Sequence, residues 1–251
     1  MGDPTDSVSE PDSLALKGPS PLASWLSRKA PLLGFKEAGQ NEPVTELGAF
    51  VGLDRVVAVH EILGLPAESL AQSWTRTREY VESSLRLIDG DGGWLDKEEV
   101  EMILRNVGQP PAHCYPIYVF SVGSGKEERA VYVGKTSSTT ARFAGGHSAA
   151  VRLHDPKYDG MLKRVYRGCV MFLTEEEYLP LEWISPLAAA EKLLACVEAT
   201  LIFGLQPELN TLLRREFDHT ISLTVQVENH CGTGFLNDDQ FAYDRGMKDP
   251  G

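Results

Sequence analysis

The tripeptide Gln109-Pro110-Pro111 separates two hydrophobic periods, and that change limits the fold more than any other feature of the chain. Consecutive prolines end a helix, because each lacks an amide proton and restricts the residue before it. Upstream, Leu70, Trp74, Tyr80, Val81, Leu85 and Ile88 lie on a helical stripe that is expected to begin near Pro66. Another helical stretch is expected from about 45 to 63, stopped by Gly64-Leu65-Pro66. Downstream the pattern alternates. Residues 115–122 and 129–133 read as two strands joined by a polar, glycine-containing connection, which makes a β-hairpin. A third strand is expected over 164–173. A long helix is expected over 185–205, with Pro186 in its first turn and Gln206-Pro207 at its end. Residues 220–228 place Ile221, Leu223, Val225 and Val227 on one face of a further strand.

These changes of pattern divide the chain into four parts. Residues 1–40 read as a flexible acidic arm rich in Ser and Pro, with Trp25 as a candidate anchor. Residues 41–111 form a mainly helical accessory region, 112–218 a mixed domain, and 219–251 a strand and tail. The sequence Asp89-Gly90-Asp91-Gly92-Gly93 looks like a calcium loop. The register that fits puts Leu87 at the first ligand position, where an oxygen donor is required. A glycine-rich turn followed by a helix capped by Asp96, with Glu99 three residues on, fits better.

The net charge is −12, which argues against indiscriminate coating of nucleic acid. That charge is uneven. Residues 1–111 carry 10 basic and 18 acidic side chains, whereas 112–218 carry 12 and 13. Local potential decides whether a phosphate can approach, and the middle of the chain is near neutral. The acidic first half suits a protein partner better than direct DNA reading. No apolar stretch is long enough for a bilayer. The best candidate, 51–65, contains Asp54, Arg55, His60 and Glu61, so no membrane association is expected. The start of the chain lacks a basic-then-apolar segment, and Asp6 stands where myristoylation wants Ser or Thr, so the cytoplasm is the expected location. Cys114, Cys169, Cys196 and Cys231 form no paired ligand motif and are expected as reduced, mostly buried thiols.

Individually, the polar residues of the middle region have ordinary explanations. Glu198 falls within the helical stripe of Leu194, Val197, Leu201, Ile202 and Leu205, where a carboxylate is costly unless paired or metal-bound, yet an edge position would let it reach solvent. Tyr118 and Tyr132 suit strand packing. Arg142 reads as a solvated charge, and His147, after Gly145-Gly146, as a loop residue.

In combination they say more. Tyr115-Pro116-Ile117-Tyr118, Val131-Tyr132-Val133-Gly134-Lys135-Thr136, Arg142-Phe143 and Gly146-His147 resemble the opening motifs of the GIY-YIG nuclease superfamily. Glu198 on a helix, followed by Pro207-Glu208-Leu209-Asn210, resembles that family's closing motif. Two departures stand out. Pro116 replaces the first glycine, and the chain between Arg142 and Glu198 is longer than in the smallest members, so part of 153–184 reads as an insertion. Its Lys157, Lys163, Arg164 and Arg167 are candidates for phosphate contact.

The resemblance implies an α/β (α+β) fold: a small three-stranded antiparallel sheet flanked by helices, here preceded by the mainly helical region. It implies a metal-dependent endonuclease hydrolysing phosphodiester bonds in DNA, for restriction, defence or repair, with one Mg²⁺ or Mn²⁺ per active site. Glu198 would be the metal ligand, since a hard cation accepts one carboxylate with phosphate and water completing its shell. Tyr118 would help to activate water and His147 would receive the proton. Arg142 would stabilise charge at phosphorus. Tyr132 would orient water or phosphate, and Asn210 would hold the architecture around Glu198 or bond to substrate. Lys135, Lys163 and Arg164 would contact substrate. A symmetric duplex cut would call for a homodimer. The alternatives are an RNA-cleaving nuclease, or a nucleic-acid- or protein-binding regulatory protein with the same fold and little activity.

Overall fold

The computed structural model describes residues 20–38, 48–64, 69–136, 148–173, 178–211, 223–236 and 240–243. In chain order the elements are α1 (Pro21–Leu26), β1 (Lys36–Glu37), β2 (Ala49–Ala58), α2 (Leu70–Ile88), α3 (Lys97–Asn106), β3 (Ile117–Val122), β4 (Arg129–Lys135) and α4 (Ser148–Arg152). They continue with β5 (Lys163–Leu173), β6 (Tyr178–Pro180), β7 (Ile184–Ser185), α5 (Leu187–Leu205), β8 (Val225–Asn229) and β9 (Gln240–Tyr243). A seven-stranded sheet in the order β4-β3-β5-β2-β8-β9, with β6 paired to β5, organises the molecule. The pairing is antiparallel except between β2 and β8.

The chain is therefore mixed α/β, with two differences from expectation. First, the sheet is larger than three strands: β4, β3 and β5 are contiguous, and β2 and β8 extend it from segments on either side of 112–218. Second, the stretch expected to be helical up to residue 63 is the strand β2 followed by a 3₁₀ helix, Val59–Gly64. Ala49, Val51 and Leu53 are buried, and β2 pairs on both sides, with β5 and β8. A strand enclosed on both edges can carry an apolar run without clean alternation, which hides its period. The arm expected over 1–40 also differs within its described part. Leu22, Trp25 and Leu26 follow i, i+3, i+4 spacing, and all are buried in the main core. The Trp25 indole N–H donates to Gly93 O at 2.9 Å.

Local signals account for the helix ends. Ser69 and Gln72 form a reciprocal capping box at the start of α2, and Asp89 ends that helix in a left-handed conformation. Asp96 and Glu99 form the expected capping box on α3, with both bonds 2.8 Å. The glycine-rich segment is thus a turn between two helices. α5 buries residues nearly all round, including Leu193, Leu194, Val197, Ala199, Leu201 and Ile202, as befits a helix enclosed by its neighbours. The larger core gathers α1, α2, α3 and α5 on one face of the sheet. A smaller one joins Tyr118, Phe120, Val122, Val131 and Val165 to Ala149, Leu153, Tyr158 and Leu209 on the other.

Candidate active site

Four consecutive residues of β4, 132 to 135, form the site's spine. β4 lies at one end of the sheet order and pairs with β3. Cross-strand partners share a face, so Tyr118, opposite Gly134, lies on the same face as Tyr132, opposite Phe120. The two phenol rings stack with centroids 6.1 Å apart, and Phe120 meets each edge-on at 5.9 Å. Tyr118 is 1% exposed and Tyr132 half-buried. Gly134 makes this packing feasible: a Cβ there would sit 2.5 Å from both Cζ and Oη of Tyr118. The register slips between Phe120 and Ser121, a bulge of the kind that re-aims side chains beside a site.

The residue after Gly134 points to the opposite face, where α5 packs. There the Lys135 ammonium forms an ion pair with the Glu198 carboxylate. Both side chains are largely shielded, at 25% and 14% exposure. Asn210 fixes the strand between these contacts. Its Oδ1 accepts from Val133 N and its Nδ2 donates to Val133 O, each at 2.9 Å. The Leu209 amide donates to Val131 O at 2.8 Å, and Arg152 donates to Leu209 O at 2.9 Å. Residues 209 and 210 thus satisfy β4 along the edge that faces away from β3, where an open strand would otherwise expose its backbone.

Tyr118 and Tyr132 therefore stand on one face of β4 and Lys135 with Glu198 on the other, and Asn210 is bonded to Val133 at the edge between them. Arg142 and His147 lie outside the described residues, as do 1–19, 39–47 and 212–222.

Three of the expected phosphate contacts have other surroundings. Arg164 is opposite Ser121, three residues along β3 from Tyr118 and so on the other face. Its guanidinium pairs with Glu128 at 3.1 Å and donates to Gly123 O at 3.3 Å. Lys163 is opposite Val122, at the far end of β3. Lys157 pairs with Glu208 at 3.1 Å, beside the Tyr158 hydroxyl that donates to the same carboxylate at 2.7 Å.

Sequence patterning missed two buried polar groups, Glu128 and Glu182, and the buried setting of a third, Arg167. Glu128 accepts from Ser121 Oγ at 2.7 Å, Tyr166 Oη at 2.8 Å and Gly234 N at 2.7 Å, as well as from Arg164. Burial pushes its carboxyl upward, yet these donors outweigh burial and hold it below the ordinary 4.5. Glu182 is 3% exposed and accepts from Ser73 Oγ at 3.0 Å and from Cys114 N at 2.8 Å. Burial, and then the Glu182 charge, push the Cys114 thiol up, so it is an inert thiol. Arg167 is opposite Tyr118 on β5 and 6% exposed, and its guanidinium lies 5.5 Å from the Tyr115 ring centroid. Arg55, the next residue in that row, is 4.4 Å from the same ring. Burial, and then the Arg55 charge, lower the Arg167 pKa. Only the strand register, hidden by the misread β2, would have placed these two guanidiniums together.

The chain matches no family model, no curated protein and no solved structure.

Among the described residues no group of three His, Cys, Asp or Glu side chains is placed to hold a metal ion. Glu198, the carboxylate that the motif resemblance assigns to a metal, is paired here with the Lys135 ammonium. Among the described residues no helix is long and apolar enough to cross a membrane.

Proposed function

We propose that this protein is a metal-dependent endonuclease of GIY-YIG type that hydrolyses phosphodiester bonds in DNA, with β4, β3, β5 and α5 as its catalytic unit. One observation carries the reading. Residues 132 to 135 of β4 meet, one after another, the partners that the motif resemblance singles out: Tyr132 itself, Asn210 on Val133, Tyr118 over Gly134, and Glu198 on Lys135. Motif residues from β3, β4, α5 and the turn after it border one end of β4, on its two faces and along its edge, and this supports the reading.

In this reading Tyr118 takes a proton from the attacking water or relays it, and His147 receives it, because imidazole titrates near neutral pH whereas a free phenol does not. The Arg142 guanidinium neutralises charge developing on the phosphoryl oxygens. Lys135 donates to a phosphate oxygen, Tyr132 orients water or phosphate, and Asn210 keeps the end of β4 rigid so that these groups hold their spacing. Glu198 would hold Mg²⁺ or Mn²⁺, whose chemistry there is to neutralise phosphate charge. The near-neutral middle of the chain receives the phosphates, and the acidic first half faces a protein partner or a second copy. The cytoplasm is the proposed setting.

The test is incubation with single-stranded, duplex and branched DNA and with RNA, with and without divalent metal, mapping the cut ends. Metal-dependent cuts in DNA support the reading, and a preference for RNA moves it to the ribonuclease alternative. The internal Lys135–Glu198 pair favours one further reading, a regulatory protein that binds without cutting, since the carboxylate already has a cation partner. Tight DNA binding without turnover in Mg²⁺ or Mn²⁺ would select it.

A further inference from the structure

We infer that Arg55 and Arg167 together bind a backbone phosphate of the nucleic acid, in the cross-strand row that leads to Tyr118. The inference rests on the nuclease reading and adds to it a place where the uncut part of the strand is held.

β2 carries a bulge at Asp54. Leu53 is opposite Gly168 of β5, and the next matched pair is Arg55 with Arg167, so Asp54 is the extra residue. In an unbroken register Asp54 would stand opposite Arg167, an acid against a base. The inserted residue sets a second guanidinium there instead. Like charges directly opposite one another destabilise a sheet, and bulges gather beside sites where they re-aim a side chain. On its other side Arg167 is opposite Tyr118 of β3, so Tyr118, Arg167 and Arg55 form one row across three strands. The next pair on this face, Val165 with Val57, lies in or against the same small core as Tyr118. Neighbouring strands are about 4.8 Å apart, which puts the Arg55 strand about 10 Å from the Tyr118 strand, beside the reacting position and not at it.

Tyr115 holds the two guanidiniums together. Its ring centroid is 4.4 Å from Arg55 and 5.5 Å from Arg167, and its hydroxyl donates to Asp54 Oδ2 at 3.3 Å. The bulge carboxylate is thus turned to a phenol, and burial pushes its pKa up, which makes it a weaker counter-charge. Arg55 is exposed and has no ion-pair partner among the described residues. Arg167, behind it, is 6% exposed, so water and salt screen its charge little. The outer guanidinium offers a planar fork of donors that matches phosphate oxygens, and the inner one strengthens the local potential. In a chain of net charge −12, such a pair is a local place where a phosphate is drawn in.

The test uses the full chain in EDTA, so that nothing is cut, and follows labelled single-stranded and duplex DNA by fluorescence anisotropy over a salt series. Arg55→Gln should weaken binding to every sequence and flatten the slope of log affinity against log salt by about 1, the share of one phosphate contact. Arg55→Lys, which keeps the charge, should keep most of the slope. Arg167→Gln should also weaken binding. Arg86→Gln, which removes an exposed guanidinium paired with Glu82 on α2, should leave affinity and slope unchanged. Thermal melts confirm that each protein is folded, and the exposed Arg55 carries the test even where Arg167→Gln does not fold. Calorimetric titration with inorganic phosphate runs in parallel. If Arg55→Gln binds DNA with the wild-type affinity and slope, the phosphate site is overturned and the nuclease reading stands. If it loses affinity for inorganic phosphate alone, the pair holds a free phosphate and the backbone role is overturned. If the wild type binds no nucleic acid at all, the nuclease reading fails first and the site fails with it.

Discussion

Glu128 and Glu198 are both carboxylates largely withdrawn from water, and the molecule treats them differently. Glu128 has a side chain 3% exposed and receives two hydroxyls, a backbone amide and a guanidinium, drawn from β3, β5 and the segment after β8. Glu198, on α5, has one partner among the described residues, the Lys135 ammonium. A carboxylate saturated with donors is fixed in charge and position, and it knits together the elements that supply them. A carboxylate with one partner keeps lone pairs for something else. By this contrast Glu128 is structural, whereas Glu198 is the carboxylate to which the proposed function gives the chemistry, and sequence patterning picked out only the second.

The contrast can be broken at either end. The largest expected effect is on Glu128. Glu128→Ala strands a guanidinium and three donors without their anion, and should cost about 3–5 kcal/mol of unfolding free energy. Urea denaturation measures this, and any cleavage activity per folded molecule should survive. A loss of activity at full stability would reverse the roles assigned to the two residues. Gly134→Ala comes next. Its new Cβ drives the Tyr118 ring from its place and should slow cleavage on the order of 100-fold, as a displacement of about 1 Å in a catalytic group does. A variant with the wild-type rate would remove Tyr118 from the chemistry. Asn210→Ala uncovers two backbone groups of Val133 and should cost about 1–3 kcal/mol, read from the same denaturation curves.

The smallest effect is on pH dependence. The folded pKa of Glu128 is depressed, so its contribution is present above the unfolded value near 4.5 and is lost as pH falls through the lower folded value. Wild type should lose its stability advantage over Glu128→Gln as pH drops below about 4.5, and the gap should be constant from pH 6 to 7. An advantage that persists unchanged into strong acid would show that the donors around Glu128 do not favour its charged form.

The two carboxylates also show what the sequence reveals and what it hides. β3, β4, β5 and α5 were legible because alternation and helical spacing are local, and the prolines at 110, 111, 186 and 207 mark their limits. Glu198 was legible because it interrupts an apolar stripe. Glu128 sits in a polar connection, where a charge is ordinary, and its donors come from as far as Gly234. Such a network is assembled by tertiary structure and leaves no periodic trace. The strand β2 was misread for a related reason: its two neighbours, β5 and β8, are more than a hundred residues away in sequence. Its β-branched residues and glycine, Val51, Gly52, Val56 and Val57, were the available signal against a helix. In α1, the spacing of Leu22, Trp25 and Leu26 was enough to argue that the arm contains a docked turn of helix.

The availability of Glu198 for chemistry is tested most directly by measuring Mg²⁺-dependent cleavage of DNA by wild type and Glu198→Gln at matched folded fractions. The account predicts that the rate falls by more than about 100-fold, with the melting temperature little changed. Cleavage at the wild-type rate by Glu198→Gln, with the same dependence on Mg²⁺, would contradict it.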